Sequence, residues 1–222
     1  MGKVRTILLQ KSVFEDNDSD ARNLRKELEE RGTFLINVMS SPGAGKTTTL
    51  VSLINRLKHD LKIGVMEADI DSDVDAVRVA DKTGCPSIQL HTGGMCHLDA
   101  CMTRQGIEGL RENLDLIFLE NVGNLVCPAE FDTGAHLDAV ILSVPEGDDK
   151  PLKYPLVFQR CGLVILNKID ALGYFTFDTE RCKRNILSRN PQASVFPVSA
   201  KTGEGMEELA NYILKKIHKE ER

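Results

Sequence analysis

The chain has 222 residues, of which 41% are hydrophobic and 27% charged. These proportions exclude wholesale disorder, collagen and coiled coil, and at about 150 residues per domain they allow one large α/β domain or two small ones. Lys plus Arg number 28 and Asp plus Glu 33, a net charge of −5, so no global basic field draws the chain to nucleic acid or an anionic membrane surface.

No apolar run approaches the roughly 18 residues of a membrane helix. Met1–Gln10 lacks the apolar region and small-residue cleavage site of a signal peptide, so a cytoplasmic chain is expected. Met1–Thr6 fits the loose N-myristoylation template, but no polybasic patch or second acylation site lies nearby, and lipidation is not expected. In a reducing compartment Cys85, Cys96, Cys101, Cys127, Cys161 and Cys182 are expected as free thiols or metal ligands.

Residues 1–32 read as an N-terminal extension. Ala21, Leu24 and Leu28 recur at helical spacing within Ser19–Arg31, and Gly32 falls where a C-cap would. Phe34–Met39 is an apolar run of strand length, followed by a Gly-rich turn and a helix over Thr47–Leu57. A strand over Lys62–Glu67, a short helix over Asp71–Asp81, a strand over Ser87–Leu90 and a helix over Leu98–Asn113 come next. Leu114–Glu120, Ala139–Val144 and Leu163–Asn167 read as strands buried on both faces. A helix over Asp178–Arg189, a strand over Ser194–Val198 and a helix over Met206–His218 close the chain. This alternation predicts a doubly wound, mostly parallel sheet flanked by helices, with one domain over residues 33–222. Its ligands are expected at the carboxyl ends of the strands.

The first of these strands ends in Ser40-Ser41-Pro42-Gly43-Ala44-Gly45-Lys46-Thr47. This fits the P-loop pattern G-x-x-x-x-G-K-[ST] except that Ser40 replaces the leading glycine. Backbone N–H groups from Gly43 to Thr48 form an anion cradle at a helix N-terminus. Lys46 can reach the β- and γ-phosphates, and the Thr47 hydroxyl can ligate Mg²⁺. Asp69 and Glu120 stand at two strand ends as further Mg²⁺ carboxylates, direct or through water. Asp75, with Asp71 and Asp73, lies in a segment that reads as a switch or as a polar helix start. Lys46, Thr47, Asp69 and Glu120 are the candidate catalytic residues for phosphoryl chemistry. No glutamine stands out near the γ-phosphate position, so slow intrinsic turnover is expected.

Asn167-Lys168-Ile169-Asp170 resembles the NKxD motif of GTPases and follows the phosphate loop by about 120 residues. The Asp170 carboxylate can accept both N1–H and N2–H₂ of guanine, donors that adenine lacks, and polar pairs of this kind discriminate strongly. Ser199-Ala200-Lys201 resembles the loop that contacts guanine O6. GTP is the expected nucleotide.

Between these motifs lie Gly93-Gly94-Met95-Cys96-His97-Leu98-Asp99-Ala100 and, seven residues after Glu120, Cys127. Thiolate with imidazole suits Ni²⁺ or Zn²⁺. The competing reading is buried packing thiols. Cys101 and His91 are auxiliary candidates. Cys85, Cys161 and Cys182 read as structural.

Taken together, SSPGAGKTT, EADIDSDVDA, HTGGMCHLDA, LIFLENVGNLVCPAEFD, SVPEGDDKPLKYP, LNKID and VSAKTGEG resemble the HypB family of hydrogenase nickel-incorporation GTPases, of the SIMIBI class. The resemblance covers roughly residues 20–218. It implies a GTP-dependent homodimer with a metal at Cys96, His97 and Cys127. It implies nickel delivery to the [NiFe]-hydrogenase large subunit precursor with a HypA-like partner. The extra N-terminal nickel motif of many members is not matched, since no Cys precedes Cys85 and no His precedes His59. The sister UreG family uses Cys-Pro-His, whereas Ala129 follows Cys127-Pro128 here. A metal-binding module with a structural nucleotide is the rival reading. A small-molecule kinase is a weaker one.

Overall fold

Eight strands form one sheet in the computed structural model, which describes residues 5–8, 17–69, 74–110 and 112–220. The strands are β1 (Arg5–Leu8), β2 (Phe34–Ser40), β3 (Ile63–Asp69), β4 (Ser87–His91), β5 (Leu116–Glu120), β6 (Leu137–Ser143), β7 (Leu163–Asn167) and β8 (Ser194–Pro197). The helices are α1 (Asn17–Glu30), α2 (Lys46–Leu57), α3 (Val74–Thr83), α4 (Ala100–Leu110), α5 (Lys150–Lys153), α6 (Pro155–Arg160), α7 (Thr179–Arg189) and α8 (Met206–Glu220). The strand order is β1-β4-β3-β5-β2-β6-β7-β8, and every pairing is parallel.

The period-two geometry of a strand sorts the core into layers. Phe34, Ile36 and Val38 of β2 point into one cluster with Leu50, Leu53, Ile54 and Leu57 of α2 and with Leu209 and Ile213 of α8. Leu35 points the other way, with Met66, Leu90, Ile117 and Leu119, onto Leu24 and Leu28 of α1. On that second face the half-sheet of β6 and β7 is covered instead by Phe158 of α6 and Cys182 and Ile186 of α7. Strands covered on both sides are apolar along their whole length, which is why these runs were readable as parallel.

Three elements were not expected from the sequence. β1 extends the sheet at its edge, pairing Arg5–Leu8 with Ile88–His91. Ile7 packs against the core, and a run of four residues has too little periodicity to announce a strand. α5 and α6 are two short helices where a connection was expected, each with Pro among its first residues to set the helical φ. The helix expected over Asp71–Asp81 runs over Val74–Thr83, and 70–73 lie outside the described residues, as do 1–4 of the lipidation template.

From β2 the chain passes to β3 and outward to β4, returns to β5 between β3 and β2, then crosses to β6, β7 and β8 on the other side. The reversal beside β2 is the topological switch point, and the loops after β2, β3 and β5 open there.

Candidate functional site: a nucleotide cleft joined to a cysteine loop

The turn after β2 leads directly into α2. Gly45 has φ 97° and a Cβ there would lie 2.6 Å from Asn167 Nδ2, so both the left-handed backbone and the close approach exclude a side chain. No side chain caps α2, which leaves its first N–H groups for an anion. Ser40, in place of the leading glycine, is fully buried. Its hydroxyl donates to the Ser41 carbonyl at 2.7 Å and accepts from Lys46 Nζ at 3.2 Å.

A cleft of about 460 Å³ opens in front of this turn. Gly43, Gly45, Lys46, Thr47 and Thr48 line one side, with Asp69, Asp75 and Glu120 opposite. Ala44 lies buried beneath the turn. Thr47 Oγ1 donates to Glu120 Oε1 at 3.3 Å, and Lys46 Nζ stands 3.8 Å from the same oxygen. Glu120 is buried, which raises its carboxyl above the ordinary range against the opposing charge of Lys46. Asp69 and Asp75 sit exposed at the rim. Asp71 and Asp73 lie outside the described residues. The Thr47, Asp69 and Glu120 oxygens, with an unpartnered Glu120 Oε2, are hard donors that fit Mg²⁺.

Two cleft residues were missed from sequence. Glu67 on β3 pairs in register with Glu120 on β5 and with Gln89 on β4, and all three side chains line the cleft. Burial first, then the neighbouring Glu120 carboxylate, push the Glu67 carboxyl well above the usual range. The available signal was a polar residue inside an otherwise apolar strand, VMEAD and SIQLH. Gln89 also alters the expectation that no glutamine stands near the phosphates.

The second pocket, of about 340 Å³, adjoins the first and is lined by Thr48, Asn167, Lys168, Asp170, Ala200 and Lys201 among others. Asn167 donates to the Ala44 carbonyl at 3.0 Å and accepts from Ala200 N–H at 3.1 Å, tying three loops together. Lys168 has φ 63° and its Nζ donates to the Gly43 carbonyl at 2.6 Å. Ser199 donates to Asp170 Oδ1 at 2.7 Å, which fixes the orientation of that exposed carboxylate.

From Glu120 the chain passes through Asn121–Val126 to a single 3₁₀ turn over Cys127–Ala129. The Cys127 thiol neighbours that of Cys96 and is the largest cause raising the Cys96 pKa. Cys96 Sγ lies 3.9 Å from His97 Nδ1. The His97 ring stacks on Phe131 at 3.8 Å between centroids and 6° between planes, leaving a buried Nε2 without partner. Burial holds its pKa below that of free imidazole. The three side chains are thus neighbours, but among the described residues no three His, Cys, Asp or Glu groups close into a metal cage. All six cysteines are free. Cys161 and Cys182 are buried, their thiols pushed up to about 12 by desolvation, in line with packing roles. Cys101 accepts a 3.7 Å contact from Gln105 and His91 keeps a buried Nε2 without partner, so neither completes the set.

Comparison with known proteins agrees with this arrangement. The model for the CobW/HypB/UreG nucleotide-binding domain matches residues 34–197. Hydrogenase maturation factor HypB of Rhizobium leguminosarum bv. viciae is 47% identical over 208 residues, covering 93% of this chain and 69% of its own. The crystal structure of HypB from Helicobacter pylori in complex with nickel superposes with a TM-score of 0.86 at 38% identity, covering 93% of this chain and 97% of the other. HypB from Archaeoglobus fulgidus gives 0.83 at 35% identity, covering 90% and 98%. With its phosphate turn, guanine-type loops and cysteine loop on one parallel sheet, the chain belongs to the CobW/HypB/UreG family and, within it, to the HypB P-loop GTPases.

Proposed function

We propose that this GTPase delivers nickel during maturation of [NiFe]-hydrogenase, and that GTP-dependent homodimerisation is coupled to metal binding at Cys96, His97 and Cys127. The observation that carries the reading is the short covalent path from Glu120 in the nucleotide cleft to Cys127 at the thiol pair. A movement that the nucleotide imposes at one end reaches a metal ligand at the other. The relatives are hydrogenase maturation factors, and one solved neighbour holds nickel.

In this mechanism the Gly43–Thr48 amides and Lys46 hold the phosphates of GTP, with Lys46 leaving its 3.8 Å station beside Glu120 to do so. Asp170, steadied by Ser199, receives the guanine edge, while the Lys168 stem lies against the base. Lys201 and the Ala200 amide flank the same base. Thr47, Asp69, Glu120 and, at the rim, Asp75 would hold Mg²⁺, which neutralises charge on the β- and γ-phosphate oxygens. Gly123, whose Cβ position lies 3.8 Å from Lys46 Nζ, lets the loop after β5 approach the γ-phosphate. Ni²⁺ is the cargo, with Zn²⁺ the competing ion for a thiolate and imidazole set. Closing that set needs His97 to leave Phe131 or a second copy to add ligands across a two-fold axis. A HypA-like nickel protein and the hydrogenase large subunit precursor are the partners, in the cytoplasm.

The test is titration of Ni²⁺ and Zn²⁺ into wild type, Cys96→Ala and Cys127→Ala with GDP or a non-hydrolysable GTP analogue, while mass in solution is followed. Metal affinity that depends on nucleotide and is lost in both variants is expected. Unaltered metal binding in the variants removes the site, and affinity indifferent to nucleotide leaves only a metal module with a structural nucleotide.

A further inference from the structure

The Mg²⁺ reading above assigns Thr47, Asp69, Glu120 and Asp75, and it leaves one cleft carboxylate without a task. Glu67 is 3% exposed and Glu120 4%. They stand directly opposite on adjacent parallel strands. Side chains paired this way project on the same face of a sheet, here the face that carries the phosphate turn and α2. The two carboxyl groups lie within hydrogen-bonding reach of each other. Each nonetheless keeps one buried oxygen without a partner, Oε1 of Glu67 and Oε2 of Glu120.

A mid-strand glutamate with no compensating donor is costly, and an apolar residue of similar volume would pack there more stably. Lys46 is the cation whose charge favours the ionised Glu67. Lys46 is also the residue that the phosphates take up. When it leaves, two adjacent buried carboxyl groups face the cleft, and the other cation that lines it, Arg78, is exposed. A single positive charge does not neutralise both groups, whereas one divalent ion does.

We propose that Glu67 is a positioning residue for the divalent cation of the nucleotide site: it acts through Glu120, fixing that carboxylate toward the ion. Gln89, paired in register on the other side of Glu67, lines the same cleft. The role rests on the nucleotide-site reading above.

The experiment titrates MgCl₂ against binding and release of a fluorescent GDP and a fluorescent GTP analogue, in wild type, Glu67→Gln and Glu67→Asp, with a parallel series in excess EDTA. Glu67→Gln is expected to bind nucleotide as wild type does in EDTA. Its Mg²⁺ midpoint is expected to rise by about 10-fold or more, the scale seen when groups behind a metal ligand are removed. Glu67→Asp, which keeps the charge, is expected to fall between the two. Removal of an uncompensated buried acid should raise the melting temperature of Glu67→Gln, so loss of fold does not mask the result. A Mg²⁺ midpoint unmoved in Glu67→Gln, with the melting temperature raised, overturns the proposal and leaves Glu67 a structural residue. Wild-type binding that ignores Mg²⁺ altogether overturns instead the site on which it rests.

Discussion

Lys168 carries the only positive φ of a non-glycine residue among those described, and its neighbours explain how the strain is held. Asn167 on one side is bonded to Ala44 and Ala200, and Lys168 itself reaches Gly43. The base loop is therefore anchored to the phosphate loop by side chains that do not touch the base edge. Asn167→Ala removes two of these bonds, at about 1 kcal/mol each. It is expected to weaken both GDP and GTP binding together, measured by isothermal titration. Asp170→Asn acts differently. It leaves the anchor intact and inverts the donor pattern, so preference should move from guanine to xanthine nucleotides in a competition assay, with much of a discrimination of roughly 10⁴ lost. Unchanged guanine preference would contradict the pocket assignment.

Asp138 is the residue where pH should register. It accepts from Asn37 Nδ2 at 2.8 Å, and Asn37 in turn accepts from Asn121 at 3.0 Å, whose Oδ1 holds the Val122 amide at 2.9 Å. Burial raises the Asp138 pKa to about 6, with the Asn37 bond, Arg25 and Arg160 opposing and Asp132 reinforcing the rise. A carboxyl whose folded pKa exceeds its unfolded one binds more protons when folded. Its contribution is full below about pH 4 and is lost as pH rises through about 6. Asp138→Asn should therefore gain melting temperature over wild type at pH 8 and little at pH 4, a difference on the order of 3 kcal/mol. Chains of this kind are hidden in sequence, because Asn37, Asn121 and Asp138 are far apart in the chain and meet only through register. The phosphate loop, base loop and cysteine loop were legible because each is a contiguous motif with its own chemistry. Glu67 and Gln89 were not, since each is a lone polar residue whose meaning appears only when β3, β4 and β5 are laid side by side.

At the scale of elements, the buried strands and long helices were legible by periodicity, and their observed bounds differ by a few residues. β1 was not, because an edge strand of four residues has little pattern to show. The helix of the N-terminal extension was legible through Ala21, Leu24 and Leu28, but its docking was not. α1 lies against the β2–β5 half of the sheet and is held at its flank by Arg25 on Asp132 and the Ala135 carbonyl, and by Glu27 paired with Arg104 of α4. Half-buried ion pairs at the surface still contribute little beside apolar burial, so the packing carries the docking. Leu28→Ala, at a residue 1% exposed, is expected to cost about 2–5 kcal/mol in urea unfolding. Glu27→Ala should cost far less.

At the scale of the whole molecule, the sheet separates its thiols by position. Cys161 and Cys182 lie in the layer under α6 and α7, while Cys96 and Cys127 stand together on loops beyond the strand ends. Joint replacement of Cys85, Cys161 and Cys182 by Ala should leave metal stoichiometry unchanged, read by mass spectrometry under native conditions. Loss of metal in that variant would contradict the sorting.

Asn17, the first residue of α1, uses both ends of one amide. Its Nδ2 donates to the Asp132 carbonyl at 2.9 Å and its Oδ1 accepts from the Ala100 amide at 3.0 Å. Ala100 follows the stretch that bears Cys96, and Asp132 follows the stretch that bears Cys127. Both stretches are bonded to one side chain, so an outward swing of either breaks one of these two bonds or takes Asn17 with it. If metal is held between them, Asn17 links the opening of one stretch to that of the other, at about 1 kcal/mol per bond. Asn17→Leu should cut this link, and faster hydrogen exchange at the Ala100 amide would report it.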